Sequence, residues 1–248
     1  MIRQRIGMIV PSLNTIAEDD LRHFLPADVG FHVHRVRLSK TGSRVTQQDL
    51  IDAAGAAPGE ATMLADARLD AIAFNCTGAS ITGGVEGARQ LAEAMAAATG
   101  GTPATTTALA VVAALRAVGA SRLVHVCPFA PEFSEDEARF LTDSGFGIAA
   151  SRGLGFTDAR VAAEMTPDEI CATAIPLDTP EADAVFLACA NVRATEAAAA
   201  LEQKLGKPVV ASNQAVVWHL LRLLGRDDRV AGAGSLFERG LAGEMIAA

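Results

Sequence analysis

The chain has 248 residues, half of them apolar, with a formal net charge of −8, four cysteines, one Trp and no Tyr. No Lys/Arg cluster is present to make a nucleic-acid surface, where basic patches supply most of the affinity, and no run approaches the roughly 20 apolar residues of a membrane span. Four cysteines without CxxC spacing make neither a disulfide framework nor a zinc knuckle, so the chain reads as a soluble, cytoplasmic protein with reduced thiols and a small-molecule ligand.

Short apolar runs bounded by Gly, Pro and Asp alternate with Ala-rich stretches of helical period. In the first half, residues 6–10, 31–38, 71–75 and 104–106 read as strands, and 16–24, 46–68, 85–98 and 107–117 as helices. In the second half, strands fall at 123–127, 146–153, 184–188 and 208–212, and helices at 131–142, 167–174, 194–205 and 213–224. The 31–38 run alternates in polarity and belongs near a sheet edge; His32 and His34 then share one side of a strand, which reads as a solvated face and not as a metal site. The other strands are continuous apolar runs, the pattern of parallel sheets covered on both faces.

The expected fold is therefore α/β, with two pseudo-symmetric lobes, each a small parallel sheet of about four strands flanked by helices. Lobe one is expected over 1–116 and lobe two over 117–224, with no Ser, Gly or Pro-rich linker between them and the tail 225–248 returning to lobe one. Ligands of such sheets bind beyond the carboxyl ends of the strands, here the cleft between the lobes.

The two halves say the same thing twice. RIGMIVPS at 5–12 is answered by RLVHVCPF at 122–129, and DAIAFNCTG at 70–78 by DAVFLACAN at 183–191. Pro103 followed by Ala110, Val111 and Val112 is answered at one constant offset by Pro208, Ala215, Val216 and Val217. Cys76 and Cys189 thus end equivalent strands and are expected to face each other across the cleft.

A cysteine is nucleophilic only as thiolate, and its usual pKa of about 8.5 must be lowered by helix N-termini, cations or hydrogen bonds. Both thiols precede small, polar loops that lead into helices, so a thiolate there is expected to meet backbone N–H donors and a helix dipole. Packing alone is the other use of a buried strand-end cysteine; matched positions in both halves favour chemistry. Cys127 and Cys171 read as structural. In the loop after the first strand, Ser12, Asn14 and Thr15 offer neutral donors or helix caps; Ser212, Asn213 and Gln214 form a similar group, for which capping is favoured. GxGxxG after the first strand, GK[ST], GxSxG and metal-ligand spacings are absent, which leaves chemistry that needs two thiols and no cofactor or metal.

VPSLNT, NCTGAS, the CPF turn, ACAN and KPVVASNQAVVWHLLR together resemble the aspartate/glutamate racemase superfamily, in its branch of maleate cis–trans isomerases and arylmalonate decarboxylases. The resemblance spans essentially the whole chain. It implies two α/β lobes, no cofactor, a small carboxylate substrate held in the cleft and a homo-oligomer. A cysteine in each lobe matches the isomerases and racemases of that superfamily; the decarboxylases keep only the second. By this resemblance Cys76 adds to the double bond of maleate, Cys189 supplies and retrieves a proton at the adjacent carbon, and Ser12, Asn14, Thr77, Gly78, Phe129, Ala190 and Asn191 surround the substrate. The alternatives are an amino-acid or hydantoin-type racemase using the same two cysteines, a decarboxylase-like lyase, and a non-catalytic carboxylate-binding protein.

Two positions depart from the pattern. The family's carboxylate-binding tyrosine is replaced by Phe129, and in GFTDAR Ala159 stands where the maleate isomerases carry asparagine. A lost donor to a buried carboxylate costs about 1.5–3 kcal/mol, so the substrate is expected to differ from maleate, if it differs, around Phe129 and Ala159.

Overall fold

The computed structural model describes residues 4–38 and 44–241. Strands β1 (Gln4–Pro11), β2 (Val29–Val36), β3 (Ala71–Phe74) and β4 (Ala104–Thr106) form one parallel sheet in the order β2-β1-β3-β4. Strands β5 (Arg122–Phe129), β6 (Gly147–Phe156), β7 (Ala184–Leu187) and β8 (Val209–Ala211) form a second in the order β6-β5-β7-β8, the same topology repeated.

The duplicated aspartates have the same local job. Asp70 accepts from the Arg5 N–H at 2.7 Å, and Asp183 accepts from the Arg122 N–H at 2.9 Å. Each carboxylate satisfies the start of the neighbouring central strand and so fixes its register, Ile6 against Ala71 and Leu123 against Ala184. The polar, alternating β2 lies at a sheet edge.

In the first lobe the helices are α1 (Ala17–Phe24), α2 (Gln47–Ala65), the single turn α3 (Thr77–Ser80), α4 (Gly84–Ala98) and α5 (Thr107–Ala117). The second lobe carries α6 (Pro131–Asp143), the single turn α7 (Ala159–Ala162), α8 (Pro167–Ala174), α9 (Ala194–Leu205) and α10 (Ser212–Leu223). A Thr46/Asp49 capping box starts α2, and Arg68, at φ +54°, lies in the turn that follows it, so the helix is shorter than its apolar pattern. Four-residue helices carry no period to read; α3 and α7 replace what the sequence presents as loops.

The matched Ala-Val-Val triplets lie on α5 and α10, which pack against each other. Val111, Val112, Val216 and Val217 all belong to one core that reaches both sheets and contains the fully buried Trp218. Separate apolar cores cover the outer face of each sheet. After α10 the chain turns back: Gln4 donates to the Leu224 carbonyl at 3.2 Å, and Arg226 forms a bidentate pair with Asp28 at 2.9 and 3.0 Å. Of the tail expected to return to lobe one, residues 242–248 lie outside the described residues. Among the described residues no helix is long and apolar enough to cross a membrane.

Candidate active site

Beyond the carboxyl ends of both sheets lies a cavity of about 510 Å³. Cys76 and Cys189 line it together, each 8% exposed. Cys76 follows β3 as the N-cap of α3 with extended backbone, φ −146° and ψ 108°. Cys189 lies two residues beyond β7 at φ +85°, a conformation L side chains rarely adopt. The duplication is thus broken at the backbone of the cysteines themselves.

The Asn191 N–H donates to the Cys189 Sγ at 3.3 Å, whereas the Cys76 sulfur makes no capping bond to α3 and has only the Ala79 N–H near it. Burial nevertheless pushes the Cys76 thiol up to about 11 and raises Cys189 as well, with the nearby Glu137 carboxylate adding to both. This reverses the expected lowering by a helix terminus. One turn of α3 aligns too few peptide dipoles, and the backbone N–H groups near the sulfurs do not replace the water lost on burial. Both cysteines rest as neutral thiols.

The expected substrate-binding residues divide. Thr77, Gly78, Phe129, Ala190, Asn191 and Asn14 line the cavity. Ser12 does not: its hydroxyl accepts from the Leu38 N–H at 3.2 Å and its N–H donates to the Val36 carbonyl, fastening the loop after β1 to β2. Asn14 lines the cavity with an amide used by the fold. Its Oδ1 accepts from the Ile16 and Ala17 N–H groups, capping α1, and its Nδ2 donates to the Ala190 carbonyl at 2.8 Å. Asn191 answers from the other lobe, accepting from the Thr15 N–H at 2.8 Å and donating to the Ala159 carbonyl at 2.9 Å. The Thr77 hydroxyl donates to Ser212 at 3.0 Å. What stays available for a carboxylate is mainly backbone: the first-turn N–H groups of Thr77 and Gly78 have no partner within α3.

Behind the thiols a polar seam joins the lobes. Asn213 donates to Asp20 at 2.7 Å and accepts from Asn75 at 2.9 Å, while Thr107 donates to Asn75 at 3.0 Å. Burial raises Asp20 to about 6, although the bonds from Asn213 and Thr195 oppose it. Asn213 therefore does more than start a helix. Capping of α10 falls to Gln214, whose Oε1 accepts from the Ala211 N–H at 2.9 Å.

Phe129 and Ala159 both line the cavity. Phe129 meets Phe133 edge-on at 6.3 Å and, beyond a register shift after Cys127, pairs with Phe156, because β6 runs three residues further than its apolar pattern. Gly153 permits this: a Cβ there would lie 2.8 Å from the Phe129 carbonyl oxygen.

Sequence reasoning missed Phe133, Phe156, Arg44 and the acidic side chains of α6, namely Glu132, Asp136 and Glu137, all of which line the cavity. Glu137 had a signal: it falls four residues after Phe133 and three before Phe140, on the buried stripe of an amphipathic helix. It is 5% exposed, and its Oε2 lies 3.0 Å from the Nε2 of the fully buried His125. Burial, with the Glu137 carboxylate nearby, pushes the Cys127 thiol upward. Cys171 packs in the core behind the second sheet. On β2, His34 lies 2.6 Å from Glu60, and among the described residues no His/Cys/Asp/Glu group is arranged to hold a metal ion.

Residues 6–237 match the arylmalonate decarboxylase family. The chain is similar to the maleate isomerase of Pseudomonas putida, at 29% identity over 94% of this chain and 96% of that one, and to that of Nocardia farcinica, at 30% over 95% and 96%. Among solved structures it superposes on a cysteine-to-alanine variant of the maleate isomerase Iso from Pseudomonas putida S16 with maleate, TM-score 0.88, 27% identity, covering 95% of this chain and 97% of that one. It also superposes on a cysteine-to-serine variant of the Nocardia farcinica maleate cis–trans isomerase with a covalently bound succinylcysteine intermediate, TM-score 0.87, 27% identity, covering 95% and 98%.

Proposed function

We infer that this chain, which belongs to the arylmalonate decarboxylase family, is a two-cysteine cis–trans isomerase of maleate or a related small unsaturated carboxylate. The observation that carries this reading is the pair Cys76 and Cys189 at equivalent strand ends on one cavity. It is supported by similarity over nearly the whole chain to maleate isomerases, one of them with a succinylcysteine intermediate.

In this reading Cys76 acts as thiolate and Cys189 as thiol. The Cys76 sulfur bonds to one alkene carbon, the π-bond breaks, and the Cys189 proton passes to the neighbouring carbon. The former double bond, now single, rotates. The Cys189 thiolate takes back a proton, the C–S bond breaks, and the trans isomer leaves. Backbone N–H groups of Thr77, Gly78 and the loop after Cys189 hold a carboxylate next to the sulfur, so positioning accounts for part of the rate. Asn14 and Asn191 act indirectly, by tying the loop after β1 to the loop after Cys189.

Because Cys76 rests as a neutral thiol with a pKa of about 11, it must first give up its proton, to water or to a carboxylate of the entering substrate. Both cysteines are nearly buried, which raises that cost and also strengthens their interactions with a bound anion.

The test is direct. Proton NMR of the protein with maleate should show fumarate accumulating, with activity lost in Cys76→Ser and in Cys189→Ser. Full activity of Cys76→Ala refutes the nucleophile assignment.

A further inference from the structure

The walls of the cavity differ in chemistry, with Thr46 and Gln47 at the start of α2 and Thr157 after β6 adding neutral polar side chains. On the side of the cysteines are backbone N–H groups suited to one carboxylate. On the other, the side chains contributed by β5, β6 and α6 are Phe129, Phe156, Glu132, Phe133, Asp136 and Glu137. Three are aromatic and three are carboxylates, so none donates a hydrogen bond when ionised. Asp136 is offset by Arg139 at 3.2 Å, and Glu137 faces His125. Glu132 adds a further negative charge at the rim. Among the described residues the one basic side chain that lines the cavity is Arg44, which is solvent-exposed before α2, where its charge is screened.

A second carboxylate placed on this side loses water, meets rings and faces like charge. An apolar group there gains contact with Phe129, Phe133 and Phe156. The volume agrees: cavities of about 300–1,000 Å³ enclose drug-sized ligands, and 510 Å³ is ample for far more than the eight heavy atoms of maleate.

We propose that the cavity takes a cis-unsaturated acid with one free carboxylate and an uncharged, apolar second arm, such as a half-ester or aryl ketone, in preference to a dicarboxylate. This rests on the isomerase reading above. The chemistry balances without a co-reactant. Cys76 sulfur adds to the alkene carbon beside the carboxylate, the electron pair moves toward the neutral carbonyl of the second arm, and Cys189 protonates the carbon next to that carbonyl. Rotation, return of the proton to Cys189 and cleavage of the C–S bond give the trans product. A neutral carbonyl accepts this electron pair without building a second full negative charge beside α6.

Two saturated, unreactive probes test the selectivity apart from catalysis. Calorimetry on the full chain should find monobenzyl succinate binding at least about tenfold more tightly than succinate, the scale on which apolar pockets discriminate. Asp136→Asn, which changes a half-buried side chain at the cavity wall, should narrow the gap by strengthening succinate alone. Equal or tighter binding of succinate overturns the proposal, as does loss of succinate binding in Arg44→Ala, since that places a second carboxylate on the arginine. Turnover of maleate and monobenzyl maleate, followed by NMR, is read separately: no isomerisation of either refutes the isomerase reading, while the binding ratio still decides the second arm.

Discussion

Cys76 and Cys189 close equivalent strands and line one cavity, yet Cys76 is extended at φ −146° while Cys189 is held at φ +85°. One thiol of the pair sits on relaxed backbone and the other on strained backbone. A non-glycine residue at positive φ costs on the order of 1–3 kcal/mol and persists where surroundings over-determine it. Here the Asn191 N–H to the Cys189 sulfur, and the bonds from Asn14 and Asn213 to the Ala190 carbonyl, fix the turn.

The first prediction follows from that strain. Cys189→Gly should be more stable than Cys189→Ala by about 1 kcal/mol, because glycine enters positive φ freely while its own unfolded-state entropy takes back part of the gain. Denaturant midpoints of the two variants measure this. Equal stability would mean that the turn is not strained.

A second prediction concerns pH. With the Cys76 thiol raised to about 11, its thiolate fraction grows about tenfold per pH unit through the neutral range. Both kcat/KM and the rate of Cys76 alkylation should climb in proportion. The raised pKa favours the protonated folded state, so this contribution to stability is complete below the unfolded pKa of 9.0 and is lost as pH rises toward 11. Cys76→Ala should lack that alkaline loss. A flat alkylation profile from pH 7 to 9 contradicts the assignment.

Asp20 provides an acid-side counterpart. Its folded pKa of about 6 exceeds the ordinary 3.8, so its contribution is fully present below 3.8 and is lost as pH rises through 6. The Tm of the wild type should therefore gain, relative to Asp20→Asn, on going from pH 7 to pH 5. An identical pH dependence in both proteins refutes the burial argument.

Asn213 is the centre of the seam between the lobes. Asn213→Ala leaves the Asp20 carboxylate and the Asn75 amide each short of a buried partner, at about 1–3 kcal/mol for each group stranded. A loss of about 3 kcal/mol in a denaturant titration is expected. A loss under 1 kcal/mol would show that water replaces the side chain.

The strands and the long helices were legible because buried parallel strands are continuous apolar runs and the intervening helices keep a clear period. The repeated Asp-Ala dipeptides and Ala-Val-Val triplets were visible as repeats, but their causes, strand-start hydrogen bonds and the α5–α10 contact, needed three dimensions. The two cysteines could be picked out because a matched pair stands out from a background of packing residues. Ser12 could not be assigned for the opposite reason: a serine beside a turn looks the same whether it bonds a ligand or the Leu38 backbone, as it does here. Arg44, Phe156 and Glu137 reach the cavity through long-range folding. Of these only Glu137 carried a local sign, its place on the apolar stripe of α6.

The roles of Cys76 as nucleophile and Cys189 as acid/base are tested most directly by peptide mass mapping of the Cys189→Ser variant after exposure to maleate. With serine at 189, water supplies the proton to the neighbouring carbon and no thiolate retrieves it, so a single succinyl group carried on Cys76 is expected to accumulate, with no adduct in Cys76→Ser. An adduct that maps to Cys127 or Cys171, or that forms on Cys189 in the Cys76→Ser protein, would contradict these roles.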